Sequence, residues 1–224
     1  MNQRDPYWGL LRRRGCLLPT WPGLLLLVLL GVAILLEAAL LVQPFLAPTV
    51  PVPAEILVVE GWVPDYVLAA TAAEFKRGHY RRLYVTGGPL ETGGFLSQYR
   101  NFAEHGAAIL AGMGISKGMI EAVPAPSVRR DRTYTSALAL KSRLQQQNTS
   151  VTGINLVSLG VHSRRSRLLF QEVFGAEPRV GIIAVENRSY DPAHWWRYSN
   201  GVRAVVDELA AYIYALVVFP LLEA

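Results

Sequence analysis

Over residues 21–42 the chain reads W-P-G-L-L-L-L-V-L-L-G-V-A-I-L-L-E-A-A-L-L-V, with Glu37 as its single ionisable side chain. Wound as a helix at about 1.5 Å per residue, such a run covers the roughly 30 Å of hydrocarbon in a bilayer. The sequence therefore predicts a transmembrane helix over 21–42, and the rest of the chain has to be arranged around that anchor. The apolar fraction of 51% is high for a globular chain, and this run accounts for the excess. Glu37, near the outer end, reads as a carboxyl that snorkels or is protonated at the interface rather than as a functional intramembrane group. A cleaved signal peptide is the competing reading. The leucine core is longer than a typical signal core and Glu37-Ala38-Ala39 is a poor small-x-small site, which favours an uncleaved anchor.

Arg12, Arg13 and Arg14 stand just before the run, and residues 43–54 contain no Lys or Arg. Basic flanks are retained in the cytoplasm, so 1–20 is expected to be the cytoplasmic tail of a single-pass inner-membrane protein. The part from Glu55 onward then lies on the exterior or periplasmic side. The only cysteine, Cys16, falls in that tail, so the exported domain forms no disulfide and rests on its core. The formal charge is +5, but setting aside Arg4, Arg12, Arg13, Arg14, Asp5 and Glu37 leaves the exported part only a small basic surplus. Neither a basic stripe with interleaved aromatics nor a recognised motif points to nucleic acid. The membrane is the expected partner, anionic headgroups included, and the sequence identifies no protein partner.

Pro44, Pro48, Pro51 and Pro53 disfavour helix, so 43–54 reads as an extended, semi-rigid stalk holding the domain close above the bilayer. Over 55–224 short apolar runs alternate with amphipathic stretches. Strands are expected at 56–59, 83–86, 120–123, 154–159 and 180–185. Helices are expected at 64–77, 95–113, 134–147 with Thr133 as N-cap, and 163–174. A last helix, 201–218, carries Val202, Val205, Val206, Leu209, Ile213 and Leu216 at the spacing of a stripe packed on the core. Its apolar end, 210–222, is broken by Pro220 and reads as core packing rather than a second span, with Trp195, Trp196, Tyr212 and Tyr214 as aromatics able to touch the interface. Strands alternating with helices pair in parallel. The expected fold class is α/β: a three-layer, Rossmann-like parallel sheet of about five strands, preceded by one N-terminal transmembrane helix.

In a parallel sheet the C-terminal ends of all strands share one edge, and the loops beyond them converge there. Those loops supply the candidate ligand-binding residues Glu60, Gly61, Asp65, Gly87, Gly88, Arg130, Thr133, Ser163, Arg164 and Arg165. Gly87 and Gly88 either let backbone N–H groups approach an anion or serve a tight turn at positive φ. They fit neither the P-loop nor the complete dinucleotide fingerprint. In Arg129-Arg130-Asp131-Arg132 the guanidinium groups suit phosphate or carboxylate oxygens, and Asp131 either holds one of them or accepts a proton. His162-Ser163-Arg164-Arg165 opens a helix directly after a buried strand, where unpaired N–H groups favour an anion. An imidazole with an ordinary pKa near 6.5 exchanges protons around neutrality, so His162 and Asp131 are the candidate catalytic residues. His79 and His105 read as surface groups. No nucleophile elbow, H-E-x-x-H or clustered metal ligands occur; the sequence leaves the cofactor open, a divalent cation on Glu60, Asp65 or Asp131 and a nucleotide-derived cofactor included.

Four pieces in order, V-V-E-G, Y-V-T-G-G, R-D-R-T-Y-T-S-A and V-S-L-G-V-H-S-R-R-S, make residues 55–185 resemble the SanA/ElyC/YdcF family of envelope-associated proteins. The resemblance implies a Rossmann-like fold, N-terminal membrane anchoring, and roles in envelope integrity and wall-precursor metabolism. Family members commonly carry an acidic T-x-E-N element where this chain has Thr133-Tyr134-Thr135-Ser136, so a carboxylate role at Thr135 is missing. The expectation is a membrane-anchored envelope protein that binds an anionic, phosphate-bearing small molecule or lipid-linked precursor. The alternative is a non-enzymatic interaction or scaffolding factor for envelope biogenesis.

Overall fold

The computed structural model describes residues 11–14, 16–91 and 97–219. Its first unit, Met1–Val42, carries a short antiparallel hairpin, β1 (Leu11–Arg14) and β2 (Cys16–Pro19), and most of helix α1 (Trp21–Leu46). With mean hydropathy 2.9 and its most apolar stretch left uncovered, α1 is long and apolar enough to cross a membrane. It runs four residues past the expected end and takes Pro44 into its last turn.

The second unit, Gln43–Ala224, contains β3 (Ile56–Glu60), α2 (Asp65–Arg77), β4 (Arg82–Gly87), α3 (Phe102–Gly112) and β5 (Ile120–Pro124). It continues with α4 (Arg132–Gln146), β6 (Gly153–Leu159), α5 (Ser163–Phe174), β7 (Arg179–Val185) and α6 (Ser199–Val217). The five strands from β3 onward form one parallel sheet in the order β5-β4-β3-β6-β7. The chain starts in the middle, builds outward to β5, then returns to the other side of β3. The strand direction of travel thus reverses between β3 and β6, which is where such sheets open a crevice at their C-terminal edge.

Strand periodicity sorts the core into two layers. Ile56, Val58, Tyr84, Ile154 and Leu156 face α4 and α5, meeting Ala137, Leu140, Phe170 and Val173. Leu57, Val59, Leu83, Val85 and Val157 face α2 and α3, meeting Val67, Leu68, Phe75 and Leu110. Helices on both faces leave the strands no solvated side, hence their unbroken Val, Ile and Leu runs. Carried one step further, the same alternation turns Glu60, Thr86 and Ser158 toward the α4/α5 side at the C-terminal edge.

Several expectations are corrected. The 43–54 segment is no free-standing stalk. Leu46 is fully buried, Val50 exchanges backbone hydrogen bonds with Ile182 at 2.8 and 3.1 Å, and the Asn155 amide both accepts from Val52 N and donates to Val52 O, each at 2.9 Å. Gly181 and Gly153 make the room: a Cβ on them would lie 2.1 Å from Asn155 Oδ1 and from Pro53 O respectively. The helix expected over 95–113 begins only at Phe102, because the Asn101 carboxamide caps the Glu104 N–H at 2.8 Å; residues 92–96 lie outside the described part. Asp131, at φ 58°, rather than Thr133 is the N-terminal flank of α4. Gly87 closes β4, and neither it nor Gly88 has positive φ, which removes the tight-turn reading. In α6 the buried positions are Gly201, Val205 and Ala215, whereas Val202, Val206, Ile213 and Leu216, expected to pack on the core, are exposed.

Candidate functional site

Glu60 ends a strand whose other residues are all buried, and its own exposure is 2%. A carboxylate in such a place must be hydrogen-bonded. Its Oε2 accepts from Ser158 Oγ at 2.5 Å and from Ser166 Oγ at 3.1 Å, and its Oε1 stands 3.5 Å from His162 Nε2. Ser158 lies on β6, and Ser166 one turn into α5. The hydroxyls thus come from the two elements that flank the switch point.

His162 ends a 3-10 turn, Gly160–His162, in which Gly160 at φ +45° lets the chain leave β6 sharply and enter α5. The imidazole is pinned on three sides. Its Nδ1 meets Glu208 Oε1 at 2.6 Å, Trp62 packs edge-on at 4.9 Å between ring centroids, and Glu60 faces Nε2. Glu208 comes from α6 and also takes both Arg165 Nε and Nη2 at 2.9 Å, a bidentate pair.

These charges set one another. Burial works against a charged His162, but the fields of Glu60 and Glu208 and their hydrogen bonds win and raise it to about 9. Burial would raise Glu208, yet His162 and Arg165 hold it at about 2. Glu60 is likewise pulled below the usual carboxylate range against its burial, by His162 and the two serine hydroxyls. Arg165 is pushed further up by Glu208 in spite of its own burial. At neutral pH His162 is therefore held as an imidazolium. The 2.9 Å approach of Arg165 Nη2 to His162 Nδ1 is then no hydrogen bond, since both are donors. It results from the Glu208 oxygen they share.

Above this network lies a cavity of about 800 Å³. Of the sequence-predicted residues, Glu60, Gly87, Gly88, Arg130, Asp131, Thr133, His162 and Arg165 line it together. Arg129 and Arg132 are exposed on its wall; Arg132 pairs with Glu91, and Arg130 Nε lies 3.5 Å from Asp131. Gly61, Asp65, Ser163 and Arg164 are not brought there. Gly61 has a packing role, since a Cβ would sit 2.3 Å from Phe102 O, and Asp65 is an exposed first-turn acid of α2. Ser163, the first residue of α5, is fully buried. Arg164 turns away, its guanidinium 4.0 Å over the Phe45 ring and bonded to the Phe45 carbonyl.

Glu208, Trp62, Ser158 and Ser166 are the members that sequence reasoning did not select. Ser158 carried a signal, as a polar residue in the strand row continued by Glu60. Glu208 carried a fainter one: an acid three residues beyond Val205, on the side of α6 that proves to be packed. Among the described residues no three His, Cys, Asp or Glu side chains are gathered as a metal ion requires. Thr86 Oγ1 and Ser163 Oγ, both at the C-terminal edge, are buried without a hydrogen-bond partner among the described residues. No protein-family model matches the chain, and no curated protein matches it.

Proposed function

We propose that the chain is a single-pass protein of the inner membrane, N-terminus in the cytoplasm, whose α/β domain holds an anionic, phosphate-bearing ligand in the switch-point cavity on the outer side. The observation that carries this reading is the His162 imidazolium, held charged by Glu60 and Glu208, which lines the cavity alongside Arg129, Arg130 and Arg165. The imidazolium contributes a fixed positive charge beneath the cavity, and the arginine wall adds planar donors matched to phosphate oxygens. Glu208 and Glu60 keep the imidazole charged and oriented, so no reorganisation is needed when the ligand arrives. If bonds are broken there, the groups suit phosphoester or glycosyl-phosphate transfer or hydrolysis, with His162 as the acid at the leaving oxygen and Asp131 as the proton acceptor. The envelope role implied by the SanA/ElyC/YdcF resemblance agrees with such a ligand, including a lipid-linked precursor.

The test is calorimetric titration of the full chain in detergent with inorganic pyrophosphate. Binding by the wild type, weakened about tenfold or roughly 1.4 kcal/mol in His162→Gln, is the expected result. Equal binding by both proteins, or by neither, removes the assignment and leaves the scaffolding alternative.

A further inference from the structure

α6 has two apolar stripes. One, built from Val205, Ala215 and the following Phe219, is buried against α5 and its surroundings, with Phe219 4.8 Å from the Tyr134 ring. The other runs Val202, Val206, Leu209, Ile213 and Leu216, at alternating steps of four and three, with Val217 four beyond Ile213, a spacing that keeps it on one side of the helix. Val206, Ile213 and Val217 on this side are 52, 52 and 58% exposed. Surface aliphatics scattered singly need no explanation, but a continuous stripe along five turns of a helix does.

What covers it follows from the neighbours of α6. Tyr212 meets the Phe45 ring edge-on at 5.6 Å, and Phe45 belongs to the last turn of α1. The apolar run that α1 offers to a bilayer ends at Val42, so along a helix Phe45 is within about 5 Å of the hydrocarbon edge. α6 is held beside that point. Just ahead of it, Trp196 and Tyr198 are exposed with Arg197 between them, the residue types that settle at the headgroup level.

The geometry points to α6 as an interfacial helix that lays its Val202–Val206–Ile213–Leu216 stripe into the outer leaflet of the bilayer that α1 crosses. The domain is then fixed at two places, by the anchor and by α6, rather than swinging on a tether. This rests on α1 lying in a bilayer and is independent of the ligand.

The test uses the full chain with Cys16→Ser, reconstituted in nanodiscs of phosphatidylethanolamine and phosphatidylglycerol. Single cysteines from Val206→Cys, Ile213→Cys, Leu138→Cys and Leu30→Cys carry an environment-sensitive fluorophore. The expected result is blue-shifted emission at 206 and 213, quenched by lipids bearing a nitroxide near the headgroup. Leu138→Cys, an exposed position on α4, should stay red and unquenched, and Leu30→Cys should be quenched by a nitroxide deep in the acyl chain. Emission at 206 and 213 like that at 138, with position 30 quenched, overturns the docking and leaves the anchor standing. Blue-shifted but unquenched sites whose Ile213→Cys copies cross-link to each other overturn it in favour of a second chain. An unquenched position 30 overturns anchor and docking together.

Discussion

His162 keeps its second proton because a carboxylate faces each of its nitrogens, Glu60 at Nε2 and Glu208 at Nδ1. Substituting Glu208→Gln removes one of the two fields and the charge partner of Arg165. The imidazole, now at about 9, is expected to titrate closer to 6.5 in that variant, followed by the ring proton shifts in NMR. An unchanged titration would show that Glu60 alone holds the charge. Arg165→Gln should disturb ligand binding, whereas Arg164→Gln should leave it within error, because Arg164 is engaged by Phe45. Pyrophosphate titrations of the two variants separate them. The pair also shows the reach of sequence reasoning at this scale. Glu60 was legible, since a carboxylate ending a fully apolar strand has to be explained. Arg164 and Arg165 were not separable: neighbours on a helix diverge by about 100°, and only the structure tells which one turns to the site.

Among the elements, the order of strands and helices could be read from the alternation of short apolar runs with amphipathic stretches, and even the strand ends came out nearly right. The connector could not. Beyond Leu46 its prolines disfavour helix equally well whether the segment stands free or lies along β7, and the deciding features are two glycines far away in sequence. Gly181→Ala would push a methyl into Asn155 Oδ1 and Val52 N. Displacing both should cost about 1–3 kcal/mol, seen as a lower midpoint in denaturant unfolding of the full chain in detergent. Leu140→Ala, which empties part of the fully buried contact between α4 and the sheet, should cost about 2–5 kcal/mol by the same measurement. Failure of Gly181→Ala to destabilise at all would mean that the connector is not seated as described. α6 misled for another reason. A helix with apolar residues on two sides does not say which side is inside, and its bulkier stripe proves to be the outer one.

For the whole molecule, the buried charges predict how stability follows pH. Glu208 falls from an ordinary 4.5 to about 2 on folding, so its contribution is complete above about 4.5 and is lost as pH drops toward 2. His162 rises from 6.5 to about 9, so its contribution is complete below about 6.5 and is lost as pH climbs through 9. Together they give a plateau of maximal stability between about pH 4.5 and 6.5, with a decline on the alkaline side that Glu208→Gln flattens. Thermal unfolding of both proteins across that range checks it. The parallel sheet was foreseeable from the alternation of strands and helices, but its strand order, and the meeting of α6 with the switch point that order creates, are matters of tertiary packing that no local pattern encodes. It has a consequence for assembly. α6 is synthesised after all five strands, so a growing chain can close its sheet while His162 and Arg165 still lack the carboxylate between them. Until that helix arrives, His162 and Arg165 lack the acceptor they share, and the pocket becomes electrically complete only when the segment carrying Glu208 has folded back onto the sheet.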